Sequence, residues 1–213
     1  MIKKKGLLIV LIFLFLAGCD GCPVREEIKV DRSLSVGKIE GSQFVGIRFP
    51  FNISVVPHWK VTTEIPDFME ELGYGRGGLE SSQLFLFNPS THSNLQIDFE
   101  PAGRRARFSQ AMIERLANMV TDATVSDLKG DYGKDLQVEV GPTEPVSLKG
   151  VQYAAKKYVT YTLKGVKREQ GWIYAFAEPY QIFILYMILE KAGTNDREDM
   201  RKILDSFEVI SKK

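Results

Sequence analysis

Apolar and polar positions change their period several times along this chain, and each change predicts an element. From Phe49 to Val61, β-branched and aromatic residues run up to Pro57 and resume at Trp59, which predicts two strand segments around a tight corner. Residues 66–80 carry Pro66, Gly73, Gly75, Gly77 and Gly78 and predict a mobile loop. Ser82–Phe87 and Asn94–Glu100 predict a hairpin, with Asn88 to His92 as its turn. After Pro101-Ala102-Gly103 the period lengthens. Phe108, Met112, Leu116, Met119 and Val120 fall on one stripe of a helix expected from about Arg107 to Val120 and lying on a sheet.

Strands return downstream. Leu136, Val138 and Val140 alternate with polar residues, and Val146–Leu163 holds a strand centred on Tyr158, Val159, Tyr161 and Leu163. A basic turn from Lys164 to Gly171 leads into Trp172–Ala177. Ile182–Leu189 is apolar on both alternating faces, which a strand sustains only when both faces are covered, so it belongs in the middle of the sheet. Asn195 and Glu198 stand at capping-box spacing ahead of a helix whose Met200, Ile203, Leu204 and Phe207 form the stripe toward the sheet. The fold class is α+β.

The first nineteen residues follow a different rule. Lys3, Lys4 and Lys5 precede ten apolar residues, Leu7 to Leu16, and the run closes on Leu16-Ala17-Gly18-Cys19. Ten residues are too few to span a bilayer, which takes about 20. The segment resembles a bacterial lipoprotein signal: basic residues hold the N-terminus inside, small Ala17 and Gly18 suit a peptidase groove, and Cys19 supplies the sulfur for a diacylglyceryl group. The resemblance implies a signal peptide over 1–18, a lipidated Cys19 and a membrane anchor through that lipid. Residues 19–42 read as the tether, about 25 Å long as coil and about 65 Å when extended. A short added edge strand near Val30, Leu34 and Val36 is left open, and residues 43–213 form the domain. Asp20 resembles an enterobacterial inner-membrane retention signal, which favours the inner membrane and a domain in the periplasm.

Composition narrows the partners. Without residues 1–18 and their three lysines, 25 basic residues face 27 acidic ones, about −2 overall, which implies no nucleic-acid partner. The remaining chain is long enough for one well-buried core. A thioether on Cys19 leaves Cys22 a lone thiol and excludes a disulfide framework.

The element order, opening on Ile53-Ser54-Val55-Val56-Pro57-His58-Trp59, passing Gly150-Val151-Gln152-Tyr153-Ala154-Ala155 and closing on Ile203-Leu204-Asp205-Ser206-Phe207, resembles the PsbP/Mog1 superfamily over about Phe49 to Ile210. The resemblance implies a three-layer α/β/α sandwich with a central, mostly antiparallel sheet. It also implies a non-catalytic binding or assembly module that acts through protein partners.

Motifs for chemistry are sparse. His58 and His92 both lie beside turns, with no Cys/His cluster, so neither a metal nor a cofactor is expected. Gly75-Arg76-Gly77-Gly78 lacks the strand and helix that a phosphate cradle needs. Tyr158, Tyr161, Trp172, Tyr174, Tyr180 and Tyr186 could line a pocket, but their strand spacing is that of core and cross-strand pairs. Arg104, Arg105 and Arg107 fall at the start of the expected helix, where unpaired amides already carry about +0.5 charge. Either Asp98 or Glu100 folds back on them, or they grip an anion such as a lipid headgroup. Three functions stay open: a membrane-tethered module for an envelope protein, a module for a small or lipidic ligand, and a hydrolase using His58.

Overall fold

The structure is a computed structural model that describes residues 28–72, 74, 79–80, 82–103, 107–191 and 194–210. Two antiparallel sheets form its body. The small sheet runs β1 (Gly37–Glu40), β2 (Gln43–Gly46), β3 (Phe51–Ser54), β12 (Glu208–Val209). In the large sheet the order is β4 (Lys60–Thr62), β5 (Leu84–Phe87), β6 (Asn94–Pro101), β11 (Tyr180–Glu190), β10 (Val166–Ala177), β9 (Tyr153–Leu163), β7 (Val138–Val140), with β8 (Glu144–Pro145) also on β9. Helix α2 (Gln110–Tyr132) covers one face of the large sheet, and α3 (Asp196–Asp205) with the small sheet covers the other. A single turn, α1 (Phe68–Glu71), lies between β4 and β5.

The α+β layering follows from the periods in the sequence. β11 is the middle strand of the large sheet, and its alternation splits cleanly: Ile182, Ile184, Tyr186 and Ile188 enter the core under the small sheet, while Phe183 and Leu185 face α2. β9, β10 and β11 pair over eleven positions each, the longest registers in the molecule. Gly150 explains the mid-chain motif physically. Its φ is +74°, and a Cβ there would lie 2.1 Å from the Val209 carbonyl oxygen, so only glycine lets β12 close the small sheet beside it.

Several expectations are corrected. The central sheet is joined by a second one, because the two strand segments around the Pro57 corner part: β3 pairs with β2 in the small sheet, while β4 pairs with β5 in the large one. β1 lies inside the segment read as tether. It pairs with β2 from Gly37↔Gly46 to Glu40↔Gln43, Val30 and Val36 pack on the core, and Arg48 donates to the carbonyls of Arg32 and Leu34. The ordered body therefore begins before residue 43. Residues 66–80 are more than loop, since α1 buries Met69, and Leu72 and Leu79 are buried nearby. The basic turn shrinks to Lys164-Gly165, both with positive φ, because Val166–Gly171 already pairs with β9.

Both long helices differ in detail. α2 starts at Gln110, where the Ser109 hydroxyl caps the Met112 amide at 3.3 Å, and runs twelve residues past Val120. Its buried stripe is Ile113, Ala117, Thr121 and Leu128. Met112 and Met119 of the expected stripe face solvent, Met119 at 63 % exposure. A small residue won the core position because the fully buried Trp172 sits there and donates its Nε1–H to the Ala117 carbonyl at 2.8 Å. In α3 the stripe holds, but the Asn195 side chain makes no cap, and Glu198 pairs with Arg201 at 2.6 Å.

A candidate binding cleft

The α2 face of the large sheet is packed at one end and open at the other. Toward the β9–β10 centre, Trp172 and Phe176 fill the space under Ile113 and Ala117. Beyond Thr121 the helix presents Thr124, Asp127, Leu128 and Asp131, spaced i, i+3, i+4, i+7, so these four share one face. Beneath them the strands turn polar: Gln170 replaces an apolar residue on β10, opposite Met187 on β11. A cleft of about 400 Å³ results, a volume typical of small-ligand sites. Its floor is Tyr161, Gln170 and Met187, its helical wall carries Asp127 and Asp131, and Tyr74 and Tyr132 flank it.

Two phenols of this cleft, Tyr74 and Tyr161, are held neutral. Burial raises the Tyr74 pKa, and its hydroxyl donates to Asn94 Oδ1 at 3.1 Å. Tyr161 is also pushed up by burial, against the opposing Arg168 guanidinium, and donates to Gln170 Oε1 at 3.3 Å. Behind the lining, the Gln96 and Arg168 side chains hydrogen-bond to the Tyr74 and Tyr161 phenols, and Gln96 Nε2 and Arg168 Nε find no other partner. Reading the sequence missed this site. The available signal was the polar run Gln170, Asn94 and Gln96 at strand positions where alternation calls for apolar residues.

The sequence-derived candidates fall elsewhere. Leu16, Ala17, Gly18, Cys19 and Cys22 lie outside the described residues, as do Arg104 and Arg105. Arg107 is exposed and precedes the Ser109 cap, so it is not in the first helical turn as expected. Asp98 accepts from Gln83 Nε2 and Glu100 from Gln181 Nε2, both at 2.9 Å. Of the aromatic group, Tyr161 lines the cleft. Tyr174 packs on Phe183, Tyr180 on Phe49 and Phe99, and the buried Tyr186 donates to Glu169 at 2.9 Å. Tyr158 packs partly buried against the core under the small sheet. His92 stacks on Phe68 at 4.4 Å.

His58 has a structural task. Its Nε2–H donates to Asp199 Oδ2 at 2.7 Å, tying the Pro57 corner to α3. Asp196 stands close by, and one potential ligand atom from each of the three residues lies within 4.8 Å of the others. Both oxygens of buried Asp196 are already engaged, by Asn88 Nδ2 at 2.8 Å and Ser93 Oγ at 2.6 Å. The trio reads as a hydrogen-bonded staple at a helix N-terminus, where carboxylates are favoured.

The class is thus a mixed α+β domain dominated by antiparallel sheets. Among solved structures the chain is similar to cyanobacterial PsbP (CyanoP) from Synechocystis sp. PCC 6803, with 12 % identity, a TM-score of 0.49 and coverage of 82 % of this chain and 99 % of that one. A Bacteroides thetaiotaomicron VPI-5482 protein matches at 11 % identity and a TM-score of 0.48, over 82 % of this chain and 50 % of that one. LpqN of Mycobacterium tuberculosis, described as involved in cell envelope biogenesis, matches at 10 % identity and 0.49, over 76 % and 83 %. No protein-family model matches the chain, and no curated protein does. Among the described residues, no helix is long and apolar enough to cross a membrane.

Proposed function

We propose that this chain is a lipid-anchored domain of the cell envelope that works by binding and not by catalysis. The observation that carries the reading is the open cleft under α2, about 400 Å³ in volume, whose lining brings polar side chains together over a sheet face that is otherwise apolar. The side chains around it are phenols, carboxylates, an amide and a hydroxyl, a set suited to holding a ligand. The anchor rests on the Leu16-Ala17-Gly18-Cys19 sequence, with the inner membrane favoured by Asp20 and the domain on the periplasmic side. Since Val30 already packs on the core, the eleven residue steps from Cys19 to Val30 reach at most about 40 Å. The domain works close to the membrane surface.

A protein partner is the second reading. It is favoured by Leu34, Ile39 and Ile47, large apolar side chains left exposed on and around the β1–β2 hairpin. Native mass spectrometry of the full chain, extracted from envelopes in mild detergent, separates the two. A small molecule retained by the wild type and lost by Gln170→Leu supports the cleft reading. If nothing is retained, and a photo-crosslinking residue at Thr124 captures nothing in cells while one at Ile39 captures a protein, the protein reading replaces it.

A further inference from the structure

The outward side of α2 carries a seam of its own. Met112, Leu116, Met119, Ala123 and Ser126 recur at alternating steps of four and three, the spacing with which one helix packs along another. They share an arc of about 80° on the side away from Ile113, Ala117 and Thr121, and no charged residue of α2 falls within it. Met119 is 63 % exposed and Met112 38 %, Ala123 and Ser126 are exposed too, and Leu116 is half-buried at the edge of the arc. On this side a surface helix ordinarily carries charged and polar residues. Bulk is graded along the seam: its N-terminal half is large, Met112, Leu116 and Met119, and its C-terminal half is small, Ala123 and Ser126. Charge is graded along one flank. Arg115 and Asp122 stand there seven residues apart, within about 20° of each other around the axis, both exposed. Among the described residues neither forms an ion pair.

Both gradients match the same helix turned end for end. Place a second α2 antiparallel across the seam, with the two-fold axis between Asn118 and Met119. Arg115 of each copy then faces Asp122 of the other, each Met112 lies over the other copy's Ala123 and Ser126, and the two Met119 side chains meet at the centre. One register satisfies charge and bulk together. A parallel pair sets Arg115 against Arg115 and large side chains against large ones, leaving the small half unfilled. We infer that α2 pairs with α2 of a second copy of this chain, antiparallel, through the seam from Met112 to Ser126. The seam is about 21 Å long, one helix against one helix, which puts the contact at the small end of specific interfaces. Anchoring both copies on one membrane surface raises their effective concentration and favours so small a contact. Thr124, Leu128 and Asp131 lie around the helix from the seam, so the inference does not depend on what the cleft binds.

Disulfide trapping of the full chain in native envelopes tests it, with Cys22→Ser in every chain to remove the lone thiol and that change alone as the blank. Under mild oxidation with copper phenanthroline, Met119→Cys should link to a second copy at about tenfold the blank or more. Ser126→Cys alone, about 22 Å from its counterpart along the axis, should stay at the blank level. Met112→Cys and Ser126→Cys chains carrying different tags should link to each other when expressed together. Arg115→Asp should lower the Met119→Cys yield about threefold or more, and adding Asp122→Arg should restore it. These positions lie on the outward side of α2, and circular dichroism checks that each variant folds. Ser126→Cys linking to itself as strongly as Met119→Cys would overturn the antiparallel pair. So would a yield that Arg115→Asp leaves unchanged or that Asp122→Arg does not restore. Met119→Cys linked only to a protein of another mass assigns the seam to a different partner, and the absence of any product leaves it unpaired; either result overturns the second copy.

Discussion

The two faces of the large sheet are built for different ends. Under the small sheet and α3, rings fill the space: Phe51 stacks on Phe99 at 4.5 Å, Phe49 on Phe99 at 5.5 Å, and Phe207 closes on Phe51 at 5.8 Å. On that side Glu169 receives the Tyr186 hydroxyl and the Arg197 guanidinium, while Trp59 Nε1 is buried without a partner. Under α2 the packing is complete around Trp172 and then gives way to Gln170 and the tyrosines of the cleft. One sheet thus carries a face that is filled and a face that leaves an open cleft.

The largest break in this contrast should come from the filled face. Phe99→Ala leaves a cavity among three rings and should destabilise by about 3–5 kcal/mol in denaturant unfolding, while ligand retention at the cleft stays intact in whatever fraction folds. Alkaline titration probes one buried tyrosine on each face. Tyr186 and Tyr74 are both raised by burial, so the folded state holds their protons after the unfolded chain, with its ordinary value near 10.0, has released them. Stability should be flat below about pH 9 and fall by about 1.4 kcal/mol per pH unit per tyrosine above pH 10. Tyr186→Phe and Tyr74→Phe should each flatten part of that fall, and a bound ligand should protect only the Tyr74 part.

Removing residues 28–42 takes away β1 together with the packing of Val30 and Val36, and should cost about 1–3 kcal/mol in thermal unfolding. No change in Tm would restore the whole of 19–42 to the tether. His58→Ala strands the buried Asp199 carboxylate and should cost about 1–3 kcal/mol without altering ligand retention. A loss of retention with unchanged stability would move the binding site to the α3 staple. The smallest effect has the opposite sign. Asp131→Asn removes an acid from a helix C-terminus and should stabilise by about 0.3–1 kcal/mol while weakening binding, the signature of a residue kept for a ligand.

Much of this architecture was present in the sequence because local chemistry decides it. A two-faced apolar strand such as Ile182–Leu189 has nowhere to go but the middle of a sheet, and Met200 and Ile203 recur at a spacing that only a helix presents on one side. Short-range rules also found the hairpin at Asn88–His92 and the corner at Pro57. What they could not decide was which of two adjacent helical stripes goes inside. That depended on Trp172, 55 residues downstream, needing a small neighbour and a carbonyl at Ala117. They could not separate two sheets either, since β12 reaches β3 only through a pairing of residues about 150 apart. The cleft belongs wholly to the tertiary structure. Asp127 and Asp131 look like an ordinary solvated helix face, and Gln170 and Tyr161 like ordinary strand positions, until packing sets them around a cleft of about 400 Å³. Periodicity reports which side of an element is buried, because burial is a property of one element's side chains. A binding site is a property of the space between elements, and only the fold creates that space.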